Sequence, residues 1–292
     1  MEKNFFVKSH GLGNEYIVFD SENIDFVLGV QAIKRLCNIH FGIGSDGIVM
    51  KVPSSKADFG FRVYNPDGSE AEKSGNGLRI LCKYLYDYGY AKKRTFSIET
   101  LTDIVYANIV EENNHKAELI MVNMGKAIFL SRDIPVNSDK PEFIGEQILA
   151  GDKKYEVNCV SVGNPHCVVI KEKLDEAEIR KYGPLLENHS IFPNRINVQF
   201  AKPISGNEAK ILIWERGAGY TLASGSSSCA VASVLVKRGL AQDNLTIHMQ
   251  GGILKIKVDK DWSVRMTGEV REIARGVLSR ELIEDLYKPY NS

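Results

Sequence analysis

The sequence predicts an α+β protein built from two homologous halves, and three observations support this fold class. Segments rich in β-branched and aromatic residues recur along the chain, which is typical of strands. Each half carries one strongly marked helix with clear start and stop signals. Blocks of the first half also return in the second at a constant offset of 150 residues without gaps. Mostly antiparallel strands with one such helix per half define an α+β fold.

The repeat appears in three separate blocks and in the strand-like segments beside them. The matching pairs are Gly13-Asn14 with Gly163-Asn164, Ser74-Gly75 with Ser224-Gly225, Leu85, Gly89 and Ala91 with Leu235, Gly239 and Ala241, and 61–64 with 211–214. One register across all of them argues against chance. We infer two halves related by a pseudo-twofold axis. The expected boundaries are 1–130, joined by 272–292, for the first half and 131–271 for the second.

The two marked helices have the same sequence plan. Ser74 and Ser224 stand where an N-cap is expected, and serine is among the most favoured residues there. Gly89 and Gly239 stand where the helices should end, since glycine is favoured just past a helix C-terminus. Apolar residues between these signals recur at helical spacing. Each helix follows a strand and a polar, glycine-rich turn.

The remaining elements follow from composition and periodicity. Strands are predicted over 15–19, 95–98, 104–110, 116–122, 168–171, 197–200, 245–249 and 253–258. Residues 31–39 have a helical pattern and 48–50 a strand pattern, while 279–288 form an amphipathic helix. The polar stretches 131–141 and 203–208, which both contain proline, are predicted connections.

Composition excludes several classes of function. The chain has 292 residues, with 37 Lys+Arg against 37 Asp+Glu, so it lacks the charge excess of a nucleic-acid-binding protein. It has no apolar run of membrane-spanning length and no signal-peptide pattern, so no membrane partner is expected and the expected location is cytoplasmic. Its five cysteines show no metal-ligand spacing, so we expect free buried thiols and no metal site.

The two helix starts are the first candidate site. Free backbone N–H groups and the helix dipole favour a carboxylate or phosphate at a helix N-terminus. If the pseudo-twofold axis brings the halves together, Gly75-Asn76 and Gly225-Ser226 face each other across a cleft, with Ser74 and Ser224 on its two sides. A small carboxylate substrate fits this arrangement. The alternative is that each serine is a helix cap and nothing more.

Other polar residues at strand ends complete the candidate set. Glu215 followed by Arg216 can take the ammonium and carboxylate groups of an amino acid, or can be a simple surface ion pair. His166 is expected to form hydrogen bonds rather than to bind a metal. Five asparagines in turns or at strand ends fit either turn chemistry or a polar pocket. They are Asn14, Asn65, Asn76, Asn164 and Asn197.

One motif points to nucleotide binding, but its context does not. Residues 42–47 read Gly-Ile-Gly-Ser-Asp-Gly and fit the G-x-G-x-x-G pattern. That pattern indicates a dinucleotide loop only when a strand precedes it and a helix follows. In this sequence a helical pattern precedes it and a strand pattern follows. We therefore do not expect a nucleotide there.

Taken together, these motifs resemble the diaminopimelate epimerase family over nearly the whole chain. The residues that carry the resemblance are 10–14 (HGLGN), 42–47 (GIGSDG), 65–72 (NPDGSEAE), 74–79 (SGNGLR), 162–166 (VGNPH), 197–200 (NVQF), 215–219 (ERGAG) and 266–268 (MTG). The resemblance implies two pseudo-symmetric halves, each a β-barrel-like sheet wrapped around a central helix, with the active site between them. It also implies a cofactor-independent isomerase of lysine and cell-wall biosynthesis.

The resemblance also implies roles for the candidate residues. Gly75, Asn76, Gly225 and Ser226 would hold the carboxylate at the reacting carbon, while Glu215 and the Arg216 backbone would hold its amino group. The distal end of the substrate would contact Asn14, Asn65, Asn164, Asn197 and the Arg216 side chain. This distal set is complete, which favours a small-molecule substrate with two amino-acid ends.

The sequence departs from the family at the two catalytic positions. Family members carry cysteine at both caps, where one thiolate removes the α-proton and the opposing thiol returns one. In this chain these positions are Ser74 and Ser224, and a hydroxyl is a far weaker acid than a thiol. Cys82 and Cys229 lie too far along their helices to substitute. Cys167 follows His166 on a strand, so the two should point to opposite faces.

Three accounts of the serines stay open. A neighbouring group such as His166 or Glu72 activates the hydroxyls, and the protein interconverts LL- and meso-diaminopimelate by 1,1-proton transfer. Alternatively, a natural or engineered double exchange leaves a protein that binds substrate but turns over slowly or not at all. The third account is a related reaction, such as β-elimination or racemisation of another amino acid. A homodimer is compatible with the sequence, because dimers are the commonest assembly.

Overall fold

The computed structural model describes residues 2–71 and 74–288, and its chain forms two compact units. The first unit comprises Met1–Val122 and Gly268–Ser292, and the second comprises Asn123–Thr267. Each unit has its own central helix. The architecture is a mixed α+β fold, as predicted.

Strands far outnumber helices along the described chain. In chain order, the strands are β1 (Phe5–Gly11), β2 (Asn14–Asp20), β3 (Ile48–Val52), β4 (Phe59–Tyr64), β5 (Glu70–Ala71), β6 (Thr95–Glu99), β7 (Ile104–Asn113), β8 (Lys116–Lys126), β9 (Ile144–Ala150), β10 (Lys153–Ser161), β11 (Pro165–Ile170), β12 (Asn197–Ser205), β13 (Glu208–Glu215), β14 (Gly219–Thr221), β15 (Asn244–Met249), β16 (Gly252–Val258), β17 (Ser263–Glu269) and β18 (Arg271–Val277). The helices are α1 (Val30–Cys37), α2 (Gly75–Asp87), α3 (Glu176–Glu187), α4 (Gly225–Lys237) and α5 (Arg280–Asp285).

The first unit wraps a curved sheet around α2. Its main strands follow the order β18, β1, β2, β3, β4, β6, β7, β8, with parallel pairs only at β2–β3 and β4–β6 within the described residues. The N–H of Val270, the residue before β18, donates to the Glu118 carbonyl on β8 at 3.3 Å, which brings the two ends of this strand order into contact. Helix α2 packs against β1, β2, β3, β4 and β7. This is a barrel-like sheet with a helix inside it.

The second unit repeats this plan strand for strand. Its order is β9, β10, β11, β12, β13, β15, β16, β17, with parallel pairs at β11–β12 and β13–β15. Helix α4 packs against β10, β11, β12, β15 and β16. Helices α2 and α4 begin and end at residues separated by the same offset of 150 as the sequence repeat. The sequence repeat therefore corresponds to a repeated fold.

Local signals fix the ends of both central helices. Ser74 and Ser224 are the N-caps, each in an extended conformation with its side chain accepting a backbone N–H of the first turn. Gly89 and Gly239 follow the last turns with φ of +75° and +68°. That left-handed region is open to glycine and costly for other residues. The predicted starts and stops of these helices are confirmed.

Three features differ from the predictions or lie beyond them. The stretch 203–208 is not a free connection, because β12 continues through Ser205 and β13 begins at Glu208 around a two-residue turn. Helix α3 had no predicted counterpart, although Asp175 caps its start by accepting N–H bonds from Ala177 and Glu178. The predicted C-terminal helix is shorter than expected and spans only Arg280–Asp285, with Ser279 as its cap.

The strand that carries His166 is buried on both faces. Cys167 belongs to the core cluster that packs beneath α3, together with Val169 and Phe200. His166, its neighbour on β11, therefore points to the opposite face, as predicted. The five cysteines are all buried and none forms a disulfide, which confirms the expectation of free thiols. In the described part of the chain, no helix is both long and apolar enough to cross a membrane.

Candidate active site

The start of α2 places Ser74 among polar partners. Its Oγ accepts the Gly77 N–H at 3.0 Å, which is the N-cap bond expected at a helix start. The phenol oxygen of Tyr16, on β2, lies 3.3 Å from the same Oγ. Ser74 is half-buried, so its hydroxyl keeps access to a bound molecule. The cap role and a chemical role are therefore compatible at this residue.

A string of side-chain hydrogen bonds fixes the asparagines beside Ser74. Asn14 donates to Asp46 Oδ2 at 3.0 Å and accepts from Asn76 Nδ2 at 3.0 Å. Asn76 in turn accepts from the Arg79 guanidinium at 2.8 Å. Arg79 is fully buried, and its positive charge stands at the opposite end of the string from the Asp46 carboxylate. The two amides are thus held between groups of opposite charge.

The start of α4 has the same arrangement as the start of α2 but different side chains. Ser224 Oγ accepts the Ser227 N–H at 3.5 Å, and Ser224 is only 6% exposed. Asn164 Nδ2 donates to Ser226 Oγ at 3.5 Å. Asn164 and Ser226 are the repeat counterparts of Asn14 and Asn76, so the same two positions are joined in both units. The second unit replaces an amide pair with an amide and a hydroxyl.

Glu215 supplies a carboxyl group beside Ser224. Its Oε1 accepts the Thr221 hydroxyl at 2.7 Å, and the Ser224 side chain lies close enough to influence its pKa. Burial raises the pKa of the Glu215 carboxyl, while the Thr221 hydrogen bond and the Ser224 side chain oppose that shift. A carboxyl with a raised pKa is suited to proton transfer nearer neutral pH.

The Glu215–Arg216 turn is fixed by Asn197. The Arg216 N–H donates to Asn197 Oδ1 at 3.0 Å, and Asn197 Nδ2 donates to the Pro165 carbonyl at 2.9 Å. The Arg216 guanidinium donates to the Asn194 carbonyl at 3.0 Å and remains exposed. Both the oxygen and the nitrogen of the Asn197 side-chain amide therefore form hydrogen bonds. In this structure it positions the turn that carries Glu215 and Arg216.

Asn65 lies in a tight turn of the first unit. Its Nδ2 donates to Ser69 Oγ at 3.0 Å, and its backbone N–H donates to the Ser69 carbonyl at 2.8 Å. The residue is exposed, so its amide keeps capacity for a ligand. This geometry matches ordinary turn chemistry.

His166 is a buried, neutral imidazole. Its Nε2 lies 2.9 Å from Asn164 Oδ1, and its Nδ1 is buried without a hydrogen-bond partner among the described residues. Burial lowers the pKa of His166 to about 3; the charge of Arg216 acts in the same direction and the Gln199 side chain opposes it. A neutral ring in this place orients Asn164. The ionisable side chain beside the Ser224 hydroxyl is Glu215, and Glu72 lies outside the described residues.

The glycines of the 42–47 motif allow the loop after α1 to fold back against the end of that helix. A Cβ on Gly42 would lie 2.0 Å from the Arg35 carbonyl oxygen, and Gly44 has φ +74°. The loop returns backbone N–H groups of Ile43, Gly44 and Ser45 to the free carbonyls of Leu36 and Cys37. Helix α1 precedes the motif and β3 follows it. The order is therefore the reverse of a dinucleotide loop, as the sequence predicted.

Two partners of the candidate residues were missed by sequence reasoning. The sequence pattern marks Tyr16 only as part of a strand, although Tyr16 occupies the repeat position of His166. It marks Asp46 only as a letter of the glycine motif, although Asp46 anchors Asn14. The offset of 150 residues was the one signal that could have drawn attention to Tyr16. Among the described residues, no three His, Cys, Asp or Glu side chains cluster in a way that could hold a metal.

Solved structures share this fold at low sequence identity. A probable proline racemase from Agrobacterium radiobacter superposes with a TM-score of 0.71 at 13% identity, covering 94% of this chain and 93% of that chain. A hydroxyproline epimerase from Agrobacterium vitis gives 0.69 at 12% identity, covering 93% and 90%. At such identities the likeness shows the fold alone. Proteins described as amino-acid racemases and epimerases form one class that has this fold.

Sequence comparison places the chain within that class. The family profile described as "Diaminopimelate epimerase" matches residues 6–130 and 158–273. Diaminopimelate epimerase 2 of Nostoc sp. is 45% identical over 278 residues, covering 95% of this chain and 96% of the relative. The diaminopimelate epimerase of Methanococcus maripaludis is 42% identical over 272 residues, covering 93% and 98%. The chain belongs to the diaminopimelate epimerase family.

Proposed function

We propose that the protein interconverts LL- and meso-diaminopimelate by 1,1-proton transfer without a cofactor. One observation carries the proposal: both central helices begin with a serine cap, and in each unit the same two neighbouring positions are hydrogen-bonded. These are Asn14 with Asn76 and Asn164 with Ser226. Family membership supports diaminopimelate as the substrate.

In the proposed reaction, Ser74 and Ser224 transfer protons at the two faces of one α-carbon. One serine removes the α-proton as an alkoxide, and the other gives its hydroxyl proton to the resulting carbanion. The backbone N–H groups at the starts of α2 and α4 bind the α-carboxylate, because a helix N-terminus favours an anion. They also lower the energy of the negative charge that develops there. Glu215, which lies beside Ser224, receives the α-ammonium group.

The distal amino-acid end of the substrate is assigned to amides and one guanidinium. Asn14, Asn65, Asn164, Asn197 and the Arg216 side chain are the proposed contacts. An exposed guanidinium can bind a carboxylate through two parallel hydrogen bonds, which selects a substrate with a second carboxylate. We therefore propose a substrate that is ionised at both ends.

The direct test is α-deuterium incorporation. The protein is incubated with LL-diaminopimelate in deuterated water, and isomer composition and α-deuterium are followed by chiral chromatography and mass spectrometry. The proposal predicts conversion to the meso form with one deuterium at the inverted centre. Ser74→Ala and Ser224→Ala are each expected to abolish conversion. Ser233→Ala is the matched control, because that buried serine only donates to the Cys229 carbonyl within α4.

The serine pair also favours a second candidate, a protein that binds the amino acid but does not convert it. A hydroxyl is a weaker acid than a thiol, so its basic form is scarcer at neutral pH. Calorimetric binding of diaminopimelate without any exchange would establish this second function. Exchange appearing only in the Ser74→Cys/Ser224→Cys variant would support the same conclusion. A panel of lysine, histidine and other single-ended amino acids tests racemisation of a different substrate.

A further inference from the structure

Tyr16 is hydrogen-bonded to the hydroxyl of one proposed catalytic serine. Its phenol oxygen lies 3.3 Å from Ser74 Oγ, and the tyrosine is 8% exposed. We propose that Tyr16 is a positioning residue that donates a hydrogen bond to Ser74 Oγ and stabilises its alkoxide form. This inference rests on the proposed function, because it assigns Tyr16 a part in the same proton transfer.

Two donors then converge on the serine oxygen. The Gly77 N–H already donates to Ser74 Oγ at 3.0 Å, and the Tyr16 hydroxyl supplies a second bond. Hydrogen bonds to an ionised oxygen are about twice as strong as neutral ones, so both favour the alkoxide over the alcohol. The helix dipole of α2 acts in the same direction. All of these contributions favour ionisation of the Ser74 hydroxyl, which is otherwise a weak acid.

The proton balance of the step is simple. When Ser74 acts as the base, the α-proton moves to Oγ and the electron pair of the broken C–H bond stays on carbon. When Ser74 acts as the acid, its hydroxyl proton moves to the carbanion and an alkoxide remains. Tyr16 keeps its own proton in both directions. Its part is to stabilise the charge on Oγ before or after the transfer.

Packing holds the Tyr16 ring in place. A Cβ on Gly47 would lie 2.8 Å from Tyr16 Cε1 and 2.5 Å from the Tyr64 carbonyl oxygen. Both separations are too short for a side chain, so only glycine leaves room for the ring. Gly47, the last glycine of the 42–47 motif, therefore leaves the space that the Tyr16 ring needs to reach the start of α2.

The repeat shows that the two units supply different partners to their serines. The counterpart of Tyr16 is His166, which bonds Asn164 through Nε2. Ser224 instead lies beside Glu215, whose own counterpart, Asn65, bonds Ser69. The first unit thus provides a phenol from β2, and the second provides a carboxyl from β13. Each serine has a protic side-chain partner within its own unit.

The first test compares Tyr16→Phe in two backgrounds. In the Ser74 protein, the substitution is expected to lower kcat by roughly 100-fold with little change in KM, the lower end of the loss caused by removing one donor to a developing oxyanion. In the Ser74→Cys protein the loss in kcat should be below about threefold, because a thiol, with a pKa near 8.5, ionises more readily than a hydroxyl and depends less on a hydrogen-bond donor. Equal losses in both backgrounds, or no loss with Ser74, would overturn the proposal.

Tyr84→Phe is the matched control. The Tyr84 phenol lies 3.3 Å from the Tyr90 phenol oxygen, so this change also removes one phenol hydroxyl from a bond of the same length. It lies on α2, outside the proposed machinery. Its kcat should remain within about twofold of the parent protein, as for a substitution that removes no transition-state contact. A loss in kcat equal to that of Tyr16→Phe would show that the effect of Tyr16→Phe is structural and would overturn the proposal.

The second test requires no turnover. Methanesulfonyl fluoride reacts with a serine hydroxyl to form an Oγ–S bond, and the S–F bond breaks with release of fluoride and the hydroxyl proton. Peptide mass spectrometry measures this labelling at Ser74. Tyr16→Phe is expected to slow it about 100-fold, the lower end of what one oxyanion donor contributes. Labelling that is unchanged in Tyr16→Phe, or absent from both proteins, would overturn the role of Tyr16.

The two tests separate the two proposals. If the protein incorporates no α-deuterium but Ser74 labelling depends on Tyr16, the proposed reaction fails and the positioning role stands. If exchange occurs and labelling is independent of Tyr16, the reaction stands and the positioning role fails.

Discussion

Asn76 Nδ2 donates to Asn14 Oδ1 at 3.0 Å, joining the first turn of α2 to the start of β2. The bond is the middle link between the Asp46 carboxylate and the buried Arg79 guanidinium. Both amides are residues that the family resemblance assigns to substrate binding. Their orientation is therefore set before any ligand arrives. A site fixed in this way loses less conformational entropy when it binds.

Removing the Asn76 amide should weaken both stability and binding. Asn76→Ala leaves the Asn14 and Arg79 side chains without this partner, and we expect a loss of about 1–3 kcal/mol in the free energy of unfolding. Asn65→Ala, at an exposed turn, should stay within about 0.5 kcal/mol. Urea unfolding measures the difference, and calorimetry with diaminopimelate should show weaker binding for both variants. Equal stability of the two variants would contradict the proposed role of the string.

Replacing Glu215 should remove activity without removing the fold. Glu215→Gln keeps the shape and the Thr221 bond but cannot ionise, so the substrate α-ammonium loses its charged partner and we expect the exchange rate to fall roughly 100-fold or more. Glu208→Gln, at the half-exposed start of the same strand, is the control. Because the pKa of Glu215 is raised, its ionisation costs stability as pH rises above about 4.5. The variant should therefore gain stability relative to the parent as pH rises through that range, and a constant difference would contradict the pKa shift.

His166 should make the protein sensitive to acid. Its pKa is about 3 in the folded state against an ordinary value of 6.5, so between these values the unfolded chain binds a proton that the native state does not. The stability from this group is complete above pH 6.5 and falls as pH decreases towards 3, by up to roughly 1.4 kcal/mol per pH unit. His166→Gln should flatten that part of the stability curve. Nitrogen NMR of the imidazole should show a neutral ring from about pH 5 to 8, the range in which an unperturbed histidine titrates. A titration midpoint near 6.5 would refute this prediction.

The 42–47 loop should prove structural rather than nucleotide-binding. Gly42→Ala places a Cβ against the Arg35 carbonyl, so we expect a loss of more than about 2 kcal/mol in the free energy of unfolding, within the range of overpacking and backbone strain. Gly29→Ala, at the other end of α1, meets no atom within 4 Å and should change little. Thermal unfolding compares the two variants. A tolerated Gly42→Ala would show that the close approach is not required.

Much of the fold followed from short-range rules. The ends of α2 and α4 were predictable because serine caps and glycine stops act within one turn of helix. The repeated strand order followed from the constant offset between the halves. Helix α3 was not predicted, since Pro184 interrupts its pattern and its stability comes from packing against β12 and β13. The prediction of a connection at 203–208 was wrong because Pro203 lies within β12, where proline is normally disfavoured.

The candidate site was predictable in its residues but only partly in its contacts. Ser74 and Ser224 stood out because the repeat marked both at helix starts. Tyr16 did not, because a tyrosine in a strand indicates core, and its contact with Ser74 joins residues 58 apart in sequence. Likewise, the proximity of Glu215 to Ser224 depends on how the end of β13 lies against the start of α4. Such contacts are set by tertiary structure, which local pattern does not encode.

The central claim is that Ser74 and Ser224 serve opposite faces of one α-carbon, and isomer-resolved exchange in single variants tests it most directly. Ser74→Ala and Ser224→Ala are each incubated in deuterated water with LL- or meso-diaminopimelate, and deuterium is located at each α-centre. Each variant keeps one serine, so it should exchange the α-proton of one configuration only, without inversion, and the two variants should have opposite preferences. Exchange of the same configuration by both variants, or full conversion in either, would contradict the account.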